Sequence, residues 1–148
     1  MSAASNDPSG PTPRFGAHMA TAGGLHNAAL GGKEAGCELF QVFTKNPQQW
    51  AARPQTDAEI EAFLNAQEET GIRCIASHDT YLINPASEKE DILAKSRAAL
   101  ADEVVRSARL KIPYVVMHQG AQGDATESEA LARLAESVRI TLDAIPEG

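Results

Sequence analysis

Residues 73–84 read RCIASHDTYLIN: a short apolar run closes on His78, and a loop of mixed polar and aromatic character follows. The same pattern recurs three times. Phe15-Gly16-Ala17-His18, residues 38–44 (ELFQVFT) and residues 113–118 (PYVVMH) are each short, mostly apolar and polar at the end. Four strands are predicted. Their near-continuous apolar character, without a clean two-residue alternation, suits parallel strands buried on both faces.

Helical patterns lie between these runs. Thr56-Asp57-Ala58-Glu59 has capping-box spacing, and Ile60, Phe63, Leu64 and Gln67 follow at helical intervals, with a stop expected at Gly71. A longer helix is predicted from near Ser87 to Lys111-Ile112-Pro113, marked by Ile92, Lys95, Ser96, Ala99, Leu100, Glu103 and Val104. A second Thr-x-x-Glu opens residues 126–144 and places Leu131, Leu134, Ala135, Val138 and Leu142 on one apolar stripe. The helix expected around residues 25–35 carries Gly31-Gly32, each costing on the order of 1 kcal/mol relative to alanine, so tertiary packing must hold it. Four βα repeats in succession define an α/β protein with right-handed parallel crossovers. Periodicity leaves two architectures open, a doubly wound sheet and part of a closed barrel. Ala22-Gly23-Gly24 follows a strand but has neither dinucleotide-binding nor Walker spacing.

Composition narrows the class. Of 148 residues, 43% are hydrophobic and 22% charged, which excludes collagen, a coiled coil and a wholly disordered chain. Charged or polar residues interrupt every apolar run before it approaches the roughly 20 residues of a membrane span, so no membrane partner is expected. Residues 1–14, rich in Ser, Pro and Gly, lack the basic start and apolar stretch of a secretory signal and read as a flexible leader. Cys37 and Cys74 have no Cys-x-x-Cys spacing, which points to a reducing, cytoplasmic setting. A net charge of −7 opposes broad adhesion to nucleic acid, but bound cations can reverse the field inside a cleft.

His18, His78 and His118 close three different predicted strands, and in parallel α/β folds the C-terminal strand edge faces the ligand crevice. Their imidazoles can therefore converge. Neutral imidazole is the commonest nitrogen ligand of zinc, so His78 and His118 are candidate metal ligands, against the alternative of ordinary structural histidines. His26 lies inside a helical pattern and is read as structural. Asp79 is a ligand, a partner orienting a ligating histidine, or a loop cap. In the loop after the second strand, Lys45 can meet a phosphate, Asn46 and Gln48 can donate hydrogen bonds, and Trp50 can stack or pack. Tyr81 and Leu82 are candidate apolar wedges for a duplex, or a satellite of the core.

Taken in order and spacing, Gly16-Ala17-His18-Met19-Ala20-Thr21-Ala22-Gly23-Gly24-Leu25, Phe43-Thr44-Lys45-Asn46-Pro47-Gln48-Gln49-Trp50 and His78-Asp79-Thr80-Tyr81-Leu82-Ile83-Asn84 resemble the deoxyribonuclease IV (endonuclease IV) family. The resemblance implies a TIM-type (β/α)8 barrel of which only about the first four βα units are present, with residues 15–148 forming the N-terminal half. It also implies base excision repair: hydrolysis of damaged double-stranded DNA 5′ of abasic sites, leaving a 3′-hydroxyl, with a cluster of three zinc ions. His78 and His118 match two zinc ligands of the family, Gln48 and Tyr81-Leu82 match segments that probe the DNA, and His18 matches a near-site histidine that is not a ligand.

The chain departs from the family in three places. His118 is followed by Gln119-Gly120-Ala121-Gln122 rather than Pro-Gly-Ser-His, so Gln122 replaces a rim histidine. Gln48 stands where many members carry arginine. Finally, about 250 residues are usual for a TIM barrel. The absent half would carry the remaining ligands, since nothing marks Glu147 as one. The expectation is therefore a chain at most weakly active alone, with an open edge that favours self-association. The alternatives are a xylose-isomerase-like sugar isomerase or epimerase and a non-catalytic half-barrel.

Overall fold

Four strands alternate with four helices along the chain in the computed structural model, which describes residues 12–145. In chain order they are β1 (Gly16–His18), α1 (His26–Glu34), β2 (Leu39–Phe43), α2 (Asp57–Thr70), β3 (Arg73–His78), α3 (Glu90–Arg109), β4 (Tyr114–Val116) and α4 (Glu127–Asp143). Every neighbouring pair is parallel and the sheet order follows the chain, β1-β2-β3-β4. Each crossover carries a helix, as parallel pairing requires. Most of the expected leader and Glu147 lie outside the described residues.

The caps form where the sequence places them. Thr56 and Thr126 each accept from the amide three residues on, while Glu59 and Glu129 close their boxes. Gly71 ends α2 in the left-handed conformation at φ 74°. α1 has no side-chain cap, and its stability comes from packing: Ala28, Ala29 and Gly32 are buried. A Cβ at Gly32 would meet Ile72 Cδ1 at 2.9 Å, so the glycine that weakens α1 intrinsically also lets it approach the sheet.

Phe40, Val42 and Cys74 project from the sheet into the main core with Phe63, Ala66, Ile72, Leu110 and Ile112. A smaller cluster of Ile83, Ala99 and Leu100 takes up Trp50 and Met117 at its margin. Burial on both sheet faces, expected from the apolar runs, holds on the helix-covered side only. Gly16 and His18 of β1 and Tyr114 and Val116 of β4 are open to solvent on the second face, which no layer among the described residues covers, and Ala17, on the helix side, is exposed because β1 is an edge strand. The stripe expected on α4 also differs. Ala130, Ser137 and Thr141 are its buried residues, whereas Leu131 and Leu142 are exposed. The reason is local: Ser137 Oγ donates to the Pro85 carbonyl at 2.8 Å and receives Arg97 Nε at 3.0 Å, which turns a small polar face toward α3.

Candidate functional site

Register decides which side chains meet on the uncovered face. His18 lies opposite Gln41, Phe43 opposite His78, and His78 opposite Val116. Alternation along a strand puts Phe43 on the same face as Gln41, and carries His118, two residues beyond Val116, to the face of His78. The rings accordingly form a row. His18 and Phe43 have centroids 4.4 Å apart, Phe43 and His78 5.5 Å, and His78 and His118 5.1 Å. Tyr81 leans over the row, 5.4 Å from Phe43 and 6.5 Å from His78.

This row brings together His78 and His118 and separates His18 from them by the Phe43 ring. His18 is further engaged by Gln41, with Nδ1 2.9 Å from Oε1. His78 Nδ1 lies 2.8 Å from the Asp79 carbonyl oxygen. A carbonyl only accepts, so Nδ1 carries the proton and Nε2 keeps its lone pair free, the arrangement that prepares an imidazole to ligate.

Asp79 lies beneath the pair. It is fully buried, neither carboxylate oxygen has a hydrogen-bond partner, and Oδ1 is 3.4 Å from His78 Nδ1. Burial pushes its carboxyl up to about 6, opposed by the charges of His78 and His118, by the nearby His118 main-chain amide and by the charge of Lys45. Its main-chain amide donates to the Val116 carbonyl at 2.9 Å, which ties the loop after β3 to β4.

Lys45 does not present its ammonium at the rim. Its side chain is 1% exposed, and Nζ is 2.6 Å from Asp102 Oδ2 and 3.4 Å from the Ala99 carbonyl. Arg106 joins the same carboxylate at 2.8 Å and donates to the carbonyls of Ala52 and Arg53, both at 2.7 Å. Burial alone would raise the Asp102 carboxyl, but the hydrogen bonds from Lys45 and Arg106 outweigh it and hold it below the usual range. α3 thus grips both ends of the loop after β2. Sequence reasoning missed this clamp because its acid lies 57 residues along the chain from Lys45.

Asn46 and Gln48 are exposed at the tip of that loop, where Asn46 Oδ1 accepts from the Gln48 amide at 2.9 Å in an Asx turn. The Tyr81 amide donates to the Pro47 carbonyl at 3.1 Å, so the two loops are bonded to each other. Tyr81 is 64% exposed, Leu82 half-buried, and Trp50 packs rather than stacks. A cleft of about 470 Å³, lined by His18, Met19, Phe43, Asn46 and Pro47 among others, opens beside the row of rings. Gln122 donates Nε2 to the Ala125 carbonyl at 2.6 Å within its own loop.

As a donor set, the pair is incomplete. Two imidazoles 5.1 Å apart, one with its tautomer fixed and a buried carboxylate below, suit part of a metal site. Among the described residues no group of three or more His, Cys, Asp or Glu is arranged to hold an ion.

Comparison with known proteins identifies the fold and the family. Residues 32–147 match the family described as xylose isomerase-like TIM barrel. The probable endonuclease 4 of Chloroflexus aggregans is 44% identical over 126 residues, covering 85% of this chain and 44% of that protein. The crystal structure of endonuclease IV from Thermus thermophilus superposes with a TM-score of 0.73 at 32% identity, over 87% of this chain and 47% of that one. D-Psicose 3-epimerase from Clostridium cellulolyticum H10 has a TM-score of 0.62 at 14% identity, covering 88% of this chain and 48% of that one, a likeness of fold alone. The chain spans about half the length of the curated relatives it matches. The sheet is therefore part of a barrel rather than a doubly wound sheet, and the chain belongs to the xylose isomerase-like TIM-barrel family as an endonuclease IV-like half-barrel.

Proposed function

We propose that this chain supplies half of the site of a zinc-dependent endonuclease that hydrolyses the phosphodiester 5′ of abasic sites in double-stranded DNA, in a cytoplasmic setting. The observation that carries the proposal is the pairing of His78 and His118, 5.1 Å apart at the strand ends, beside two interlocked loops. It is joined to the 44% identity with a probable endonuclease 4. No helix among the described residues is long and apolar enough to cross a membrane.

In this reading His78 and His118 hold zinc through their free ring nitrogens. Bound zinc supplies an activated water and charge stabilisation at the scissile phosphate. The chain's own residues do the remaining work. The Asp79 carbonyl keeps the proton on His78 Nδ1. Asn46 and Gln48 reach the duplex from one loop and Tyr81 with Leu82 from the other, where an exposed aromatic can lie against an unstacked base. Lys45 acts from below by fixing the loop to α3, so the chain presents fewer cations to phosphate than its loop sequence suggests. Among the described residues the donor set is partial, so the two histidines hold only part of the metal site.

Binding of the purified chain to a duplex with one abasic site, compared with the undamaged duplex at fixed salt and with zinc present, tests the reading. Tighter binding to the abasic duplex, reduced by EDTA and by Tyr81→Ala, is expected, with incision far slower than that of a full-length relative. Equal binding to both duplexes contradicts it.

A further inference from the structure

Asn84 is half-buried, unlike the exposed Tyr81, and makes no hydrogen bond to either imidazole among the described residues, yet it joins two of the loops that frame the site. Its main-chain amide donates to Ser96 Oγ of α3 at 2.9 Å, and that serine is fully buried. Its Oδ1 accepts from the amides of Ala86 and Ala121, both at 3.2 Å, and its Nδ2 donates to the Ala121 carbonyl at 3.3 Å. One carboxamide therefore takes both polar main-chain groups of Ala121, three residues beyond His118. Gly120 makes the approach possible: it adopts φ +87°, and a Cβ there would run into Asn84 Oδ1. The anchor itself is firm. Arg133 Nε donates to the Ala86 carbonyl at 3.0 Å and Ser137 Oγ to the Pro85 carbonyl at 2.8 Å, so α4 holds from the other side the segment that α3 holds at Ser96.

His118 needs such a tether. β4 ends at Val116 and His118 itself is exposed, so beyond the Asp79 carboxyl beside its main-chain amide little packing fixes its ring opposite His78. From this geometry we infer that Asn84 is a positioning residue for His118: it holds the turn at residues 120–121 so that the two imidazoles stay paired. The inference rests on the reading of His78 and His118 as one site. It concerns ring placement in the free protein, so it can fail while the function stands, and the reverse.

The test is the nuclear Overhauser cross-peak between the His78 and His118 ring protons in the full chain, recorded without metal or DNA. The peak is expected in the wild type. In Asn84→Ala it is lost while amide signals outside residues 79–89 and 117–126 stay in place. Asn84→Asp keeps the acceptor for both amides and loses the donor to the Ala121 carbonyl, and gives a weakened peak. A peak of wild-type intensity in Asn84→Ala overturns the inference, as does its loss together with widespread amide shifts. If Asn84→Ala does not fold, Asn84→Asp decides: an unweakened peak overturns the assignment.

Discussion

The two faces of one sheet are unlike. On the helix-covered face Phe40, Val42, Cys74 and Ser77 are buried beneath α1, α2 and α3. On the other face Tyr114 is 68% exposed, and the chemistry-bearing rings of His18, His78 and His118 stand in a row. Stability therefore resides on one side and the row of histidines on the other. Strand ends that do little for the core are free to carry histidines, and loops beyond them are braced from the core side by Arg106, Asp102 and Asn84.

Substitutions break or sharpen this contrast, beginning with the largest effect. Phe40→Ala removes a fully buried ring that meets Phe63 edge-on at 6.3 Å, and should cost about 3–5 kcal/mol in urea denaturation. Arg106→Ala strips a carboxylate and two carbonyls of their donor. It should cost about 2–3 kcal/mol by the same measurement, below the range for a wholly buried pair because Asp102 is 39% exposed. Thr126→Ala removes the capping box of α4 and should lower stability by about 1 kcal/mol. Tyr114→Ser, on the open face, should stay within about 0.5 kcal/mol in dilute solution. A larger loss at Tyr114 would show that a second layer covers this face, and the contrast between faces would fall.

Much of this was legible in the sequence. Thr56 and Thr126 announce helix starts through chemistry confined to four residues, and residues 73–78 form a strand with the limits the apolar run suggests. The convergence of His78 with His118 also follows from local pattern, because both end strands of one parallel sheet. What local pattern does not carry is direction set by distant partners. The α4 stripe reads as a core face until Ser137 finds Pro85, and Lys45 reads as a phosphate contact until Asp102, on a helix far along the chain, claims its ammonium. Likewise, the separation of His18 from the other two depends on the Phe43 ring, whose place in the row follows from pairing register.

The central claim is that His78 and His118 form one ligating pair. Titrating the chain with zinc while following the ring resonances of all four histidines tests it most directly. The account predicts that His78 and His118 shift together with one binding curve while His18 and His26 stay in place. Shifts confined to His18 or His26, or separate curves for His78 and His118, would contradict it.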